Sequence, residues 1–228
     1  MKKQDLYVFV GLVTFFLPFF LSDTVYSFYT SFNKEHGLIT AFIKFALLAT
    51  FGEALGLRIR EGIWNRKDFG LLPRAVVWGF LGITIKIAFV IFASGTPHFL
   101  EYIGVKDAGK IMSGNLNAYK ILVAFSISIA MNLIYAPVMM TLHKITDIHI
   151  IANRGKLNCF FKKIRFAENF KQINWDVQWH FIYKKTIPLF WIPAHTITFL
   201  LPAETQVLFA ALLGIALGAI LAFANLKK

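Results

Sequence analysis

The sequence is poor in cysteine and in charged residues, and both shortages restrict the class of protein. Among 228 residues there is one cysteine, and 16% are Asp, Glu, Lys or Arg, whereas soluble domains average about 25% charged residues. A single cysteine excludes an intramolecular disulfide framework and a cysteine-rich metal site. With 57% hydrophobic residues, the chain is too apolar for a disordered protein or for a soluble globule of this size. We therefore expect an integral membrane protein.

The sequence also lacks the short motifs that mark common catalytic sites. It has no Gly-rich phosphate loop, no nucleophile elbow and no zinc-protease helix motif. We expect no enzyme activity, no cofactor and no metal. The spacing of His143, Asp147 and His149 weakly suggests a metal site, but we expect this cluster to be solvated. Asp176 and His180 are predicted to form a surface pair.

Long continuous apolar runs are the main positive feature. A helix needs about 20 apolar residues to cross a bilayer, and runs without polar alternation favour helices over strands. The sequence predicts an all-α polytopic transmembrane helix bundle, with residues 1–228 as a single transmembrane domain. The expected spans are six: 6–21, 38–57, 71–93, 118–142, 186–201 and 206–223. The first run also resembles a signal peptide, but no small-residue cleavage site follows it, so we expect it to be retained.

Charge distribution predicts the orientation. If all six segments span, 18 Lys and Arg residues lie on the side that carries both termini, and four lie on the other side. Cytoplasmic loops concentrate Lys and Arg, so both termini are expected to be cytoplasmic. The net charge of +12 then reflects topology, and no nucleic-acid partner is expected. The absence of an Arg-rich transit peptide favours a bacterial inner membrane over an organelle.

The basic cytoplasmic segment 143–185 has features of a membrane interface. Trp175, Trp179 and Tyr183 recur every four residues and are followed by two lysines. Amphipathic rings beside cations are typical of the headgroup level. The sequence predicts one or two amphipathic interfacial helices over 157–182, before the fifth span, that bind membrane lipids. A small cytoplasmic subdomain is the alternative.

Several polar residues lie within the predicted spans, where they are costly and usually face a bundle interior or a wet cavity. They form a predicted pore or polar seam of Lys44, Glu53, Lys86, Asn132 and His195. Most of them also have a structural interpretation. Lys44 can reach the outer interface, and Glu53 can pair with nearby arginines (Arg58, Arg60 or Arg74). Asn132 and His195 can form interhelical hydrogen bonds.

Prolines and small residues mark two further features. Pro137 in the fourth span, and Pro188 and Pro193 in the fifth, are predicted to kink their helices. The last span carries a stripe of small residues at Ala210, Gly214, Gly218 and Ala222. Such a stripe permits close helix packing, either within the bundle or in a homo-oligomer.

Some of these residues belong to longer motifs. The motifs are Gly52-Glu53, Asp68 with Arg74 and Gly79, Asn132-Leu133-Ile134-Tyr135-Ala136-Pro137, Trp191-Ile192-Pro193, and Pro202 before Gln206. They resemble the Mpv-seventeen and peroxisomal membrane protein family of small multi-pass proteins, over about residues 40–225. The chain departs from that family's pattern at Met131-Asn132, Thr198-Phe199 and Gln206. The resemblance implies a membrane pore or solute-flux role without enzyme activity or a cofactor.

Two functions are open from the sequence. The first is a channel or transporter for small hydrophilic solutes, with lysines in the outer half of the spans favouring anions. The second is a non-transporting scaffold or assembly protein that binds lipid or a partner through the 143–185 segment. The polar residues on four predicted spans favour the first.

Overall fold

The computed structural model describes residues 2–226, except for the side chains of 221 and 223–226. Within this range the chain forms helices and short connections, without a β-strand. The predicted all-α class is therefore confirmed. The chain, predicted as one transmembrane domain, divides into two compact units, residues 1–40 and 41–228.

The first unit contains α1 (Lys3–Leu21), α2 (Asp23–Glu35) and the first turn of α3 (Gly37–Glu61). None of the 19 residues of α1 is buried, which suits a helix whose apolar side chains face lipid. The α2 helix begins at Ser22, whose hydroxyl accepts a hydrogen bond from the Val25 N–H at 3.4 Å. A serine at this position satisfies one of the free N–H groups at a helix start.

The second unit contains the rest of α3 and the remaining helices. They are α4 (Leu71–Tyr102), α5 (Ala108–Ser113), α6 (Ala118–Ala152), a 3₁₀ turn (Leu157–Phe161), α7 (Phe166–Lys171), α8 (Trp175–Val177), a π-helix (Gln178–Trp191), α9 (Ile192–Leu200) and α10 (Ala203–Leu226). The most extensive contacts between helices are those of α4 and of α9 with α6.

Glycines allow α3 to approach its neighbours closely. A Cβ at Gly82 of α4 would meet the Ala41 carbonyl oxygen at 2.7 Å, so α3 and α4 pack nearly backbone to backbone. Further along its length, α3 carries Gly52, whose carbonyl oxygen lies 2.9 Å from the position of a Cβ on Gly218 of α10. Small residues at such crossings maximise dispersion contacts between membrane helices.

Five helices among the described residues are long and apolar enough to span a membrane, namely α1, α3, α4, α6 and α10 over 203–220. They cover five of the six predicted spans. The predicted fifth span, 186–201, falls in the π-helix of 14 residues and in α9 of nine residues, which follows it directly. Pro188 and Pro193 remove two backbone donors from this stretch, so it does not form one regular α-helix.

The helices extend past the predicted ends. The predicted spans 71–93 and 118–142 become helices of 32 and 35 residues, about 48 and 52 Å long. A bilayer core is about 30 Å thick. The ends of α4 and α6 therefore project beyond the hydrocarbon.

The region 157–182, predicted as one or two interfacial helices, consists of short pieces. They are the 3₁₀ turn, α7, α8 and the start of the π-helix. Lys162 has extended backbone and ends the 3₁₀ turn. A continuous helix would place Lys162 and Arg165 three residues apart on one face, and like charges at this spacing are unfavourable.

Candidate functional site

The main polar site is a group of five side chains where α4 begins and α6 approaches its end. We call it the Arg74 cluster, and it consists of Glu53, Arg74, Trp78, His143 and Asp147. Arg74 Nη1 lies 2.6 Å from Glu53 Oε2 and 2.5 Å from Asp147 Oδ1. His143 Nε2 lies 3.1 Å from Glu53 Oε1 and 3.6 Å from Asp147 Oδ1. One arginine thus links a carboxylate of α3 to a carboxylate of α6.

Helical spacing positions the members of the cluster. Arg74 and Trp78 are four residues apart on α4, and His143 and Asp147 are four residues apart on α6, so each pair lies on one helix face. Trp78 Nε1 donates to Glu53 Oε1 at 3.0 Å, and the Trp78 ring lies 4.3 Å from the His143 ring.

Arg74 is also fixed by Phe69, just before α4. Its Nε donates to the Phe69 carbonyl at 2.7 Å, and its guanidinium lies 4.6 Å from the centre of the Phe69 ring. The Arg74 side chain is only 7% exposed. A buried guanidinium needs this many partners because an unpaired buried charge is very costly.

The cluster combines two carboxylates with one arginine and one histidine. Ligand atoms of Glu53, His143 and Asp147 lie within 4.8 Å of one another, which is close enough for a metal site. However, Arg74 already bonds both carboxylates, and its positive charge opposes a cation between them. The arrangement therefore acts as an ion-pair bridge across three helices.

A second buried group lies deeper in the bundle and joins α6 to α9. Asn132 Nδ2 donates to the Ser128 carbonyl at 2.9 Å, and the Asn132 amide lies 3.1 Å from His195 Nδ1. The Ser128 hydroxyl donates to the Ile192 carbonyl at 2.7 Å. Phe89 and Trp191 cover the His195 ring, with centroids 5.6 and 5.0 Å away. We call Ser128, Asn132 and His195 the mid-bundle cluster.

The predicted seam residues thus fall into separate groups. Glu53 belongs to the Arg74 cluster, whereas Asn132 and His195 contact each other. Lys44 is buried at 7% exposure on α3, and Lys86 is half-buried on α4, close enough for their charges to repel. The Thr50 hydroxyl, between Lys44 and Glu53 on α3, is buried without a hydrogen-bond partner among the described residues.

The expectation that His143, Asp147 and His149 are solvated is wrong. Asp147 and His149 are buried, and His143 is largely covered. The prediction failed because it ended the span at Leu142, whereas α6 continues to Ala152. His149 is separate from the cluster and lies 2.9 Å from the Cys159 carbonyl through Nε2. The four-residue spacing of His143 and Asp147 was the signal that could have revealed the site.

The predicted kink residue Pro137 accepts hydrogen bonds from two helices. Pro137 lies within α6, and its carbonyl accepts from Thr141 Oγ1 at 2.7 Å and Tyr183 Oη at 3.1 Å. The predicted interface anchors Trp175, Trp179 and Tyr183 do not share one environment. Trp179 is exposed, Trp175 donates to the Phe170 carbonyl, and Tyr183 is directed toward α6.

The small residues of α10 do not all face the bundle. Ala210 and Ala222 are buried, and Gly218 lies against Gly52. A Cβ on Gly214 would meet no atom of the described residues within 4 Å. Asp176 and His180 form the predicted exposed pair, with a 3.6 Å contact.

Comparison with known proteins yields no relative. No family model matches the chain, and neither a curated protein nor a solved structure matches it.

Proposed function

We propose that the protein is a channel or transporter for small hydrophilic solutes, with anions preferred. The observation that supports this proposal is that buried polar side chains occur on α3, α4, α6 and α9, at several levels of an otherwise apolar bundle. Ionisable groups at bilayer depth usually line a functional route. The family resemblance of the sequence motifs is part of this proposal, and no catalytic activity or cofactor is assigned.

The route has two ends with different chemistry. Lys86 lies 12 residues after Arg74 on α4, which is about 18 Å along the helix axis. At the Lys86 end, Lys44 and Lys86 provide positive charge that attracts anions. At the Arg74 end, the cluster binds α3, α4 and α6 together. We infer that the Arg74 cluster closes the route at this end and must separate for a solute to pass.

The proposed topology places this closed end at the cytoplasmic face. The π-helix and α9 together form the sixth crossing, and both termini lie on the cytoplasmic side with most cations. A bacterial inner membrane is the proposed location. Support comes from the 18-to-4 division of loop cations and from the length of the continuous helical stretch 178–200.

Reconstitution tests the solute route. Purified protein in liposomes is expected to raise anion flux above that of empty liposomes. Lys86→Glu should lower the ratio of anion to cation permeability several-fold, because it reverses a charge on the route. Lys106→Glu, an exposed residue after α4, is the matched control and should leave the ratio unchanged. Folded protein without flux above background contradicts the proposal.

A second candidate is a lipid-binding scaffold, which the exposed aromatic residues of segment 157–182 favour. Phe161 is 93% exposed, and Phe160, Phe166 and Trp179 are also exposed. Lys184 Nζ lies 5.6 Å from the centre of the Trp179 ring. Quenching of tryptophan fluorescence by brominated lipids tests this candidate. The quenched fraction should fall in Trp179→Phe, and an unchanged fraction argues against interfacial insertion.

A further inference from the structure

A basic pocket lies between the start of α4 and the loop after α6, and none of its lining residues belongs to either polar cluster. It has a volume of about 520 Å³. Its walls combine three cations, Arg66, Lys67 and Lys156, with three leucines, Leu71, Leu72 and Leu157. We propose that this pocket binds the phosphate headgroup of an anionic phospholipid, with the lipid chains leaving over the leucines.

Two tightly packed glycines hold the walls together. Gly70 and Gly155 both have positive φ, at 72° and 63°. A Cβ on Gly155 would lie 2.6 Å from the Gly70 nitrogen, so the two loops touch through their backbones. Residues 85 positions apart in sequence thereby form one pocket. Its shape depends on glycine at both points, since only glycine readily combines positive φ with such a close approach.

The charges of the pocket suit a phosphate. None of its ten lining residues, all of them described, is acidic. Arg66 is partly neutralised by Glu61, with Nη1 to carboxylate distances of 2.9 and 3.1 Å. The side chains of Lys67 and Lys156 are exposed and form no hydrogen bond or ion pair with the described part of the chain. Two lysines therefore remain available for an anion.

The apolar walls distinguish a lipid from a free phosphate. Leu72 is 66% exposed at the second residue of α4, and Leu157 is also exposed. The α4 helix is longer than the hydrocarbon is thick, and the proposal places its first turn at headgroup depth. A soluble phosphate gains nothing from the leucines, whereas an acyl chain buries apolar surface against them.

Native mass spectrometry of the full chain in detergent tests the site with phosphatidylglycerol as the anionic probe and phosphatidylcholine as the zwitterionic one. Lys67→Ala/Lys156→Ala should weaken phosphatidylglycerol binding roughly 30-fold, since each lysine near a lipid surface contributes about a fivefold factor. Lys162→Ala/Lys163→Ala removes two exposed lysines outside the pocket and should change the affinity little. Phosphatidylcholine binding should not respond to either pair.

Three results overturn the proposal. The first is unchanged phosphatidylglycerol binding in Lys67→Ala/Lys156→Ala, and the second is an equal loss in the control pair, which indicates general surface attraction. The third is displacement of the lipid by millimolar inorganic phosphate, which assigns the pocket to a free phosphate. Leu72→Asn gives an independent check, because it should weaken lipid binding without changing the binding of inorganic phosphate. Unchanged lipid binding in Leu72→Asn removes the assigned role of the leucine wall.

Discussion

The guanidinium of Arg74 contacts the carboxylate of Asp147 at 2.5 Å, although the two residues are 73 positions apart in sequence. The contact joins the first turn of α4 to the last turns of α6. Glu53 of α3 bonds the same Arg74 nitrogen. Three helices are thus held at one end of the bundle by a single side chain.

Loss of this side chain should strongly destabilise the fold. Arg74→Leu leaves the buried Asp147 carboxylate and the partly buried Glu53 carboxylate without their cation, which costs about 3–5 kcal/mol. The free energy of unfolding, measured by detergent titration in mixed micelles, checks this value. Arg66→Ala is the control, because its pair with Glu61 is 50% exposed on the arginine side and contributes at most about 1 kcal/mol. Similar losses in both variants contradict the central role of Arg74.

The contact between Asn132 and His195 should also be measurable. Asn132→Ala and His195→Ala are each expected to lower the free energy of unfolding by about 1–2 kcal/mol. The double variant should lose less than the sum, because polar contacts between membrane helices couple by about 0.6–1.7 kcal/mol. Ser126→Ala on the same helix is the control, since this hydroxyl donates to the Leu122 carbonyl of its own helix. Additive losses in the double variant argue against a direct contact.

The contact between α3 and α10 predicts opposite effects for two glycines on one helix. Gly218→Ala places a Cβ 2.9 Å from the Gly52 carbonyl oxygen, and relief of this overlap should cost about 1–3 kcal/mol. Gly214→Ala meets open space and should be neutral or stabilise by up to about 1 kcal/mol, since alanine favours a helix. Thermal unfolding of both variants in one detergent checks the difference. Equal melting temperatures contradict the close crossing.

Cys159 should react slowly with thiol reagents. Its side chain is fully buried, and burial raises the pKa of the thiol. The thiolate fraction at neutral pH is therefore smaller than in an exposed cysteine, and it increases as the pH rises toward the raised pKa. Maleimide labelling at pH 7 should be at least roughly tenfold slower in folded than in denatured protein. The control, Asn158→Cys in a Cys159→Ala background, exposes the neighbouring position and should label rapidly; equal rates contradict burial.

The sequence predicts helices best where an apolar run is long and uninterrupted. The starts of α4 and α6 match the predicted spans at Leu71 and Ala118, because Gly70 and the capping residue Asn117 end the preceding loops. The far ends were predicted too early, since the spans were limited to bilayer length while the helices continue to Tyr102 and Ala152. The span that contains Pro188 and Pro193 was predicted as one kinked helix, whereas it falls in the π-helix and α9, a local backbone geometry that depends on tertiary packing.

The polar sites, too, were predictable from the sequence only in part. Glu53 was considered as a partner of Arg74 because both lie near one end of neighbouring spans. His143 and Asp147 were not expected in the same group, since their placement depends on the crossing of α3, α4 and α6. The basic pocket was equally hidden, because it requires contact between Gly70 and Gly155, which no local pattern encodes.

The π-helix of 14 residues determines how α9, which follows it directly, is rotated about its own axis. One residue advances an α-helix by about 100° and the wider π-helix by less, so removal of one residue between Gln178 and Trp191 would turn α9 by roughly a quarter of a revolution. The imidazole that now meets the amide of α6 would then face a different neighbour. The length of this wide-turned stretch, as much as its composition, therefore determines which side of the following helix enters the interior.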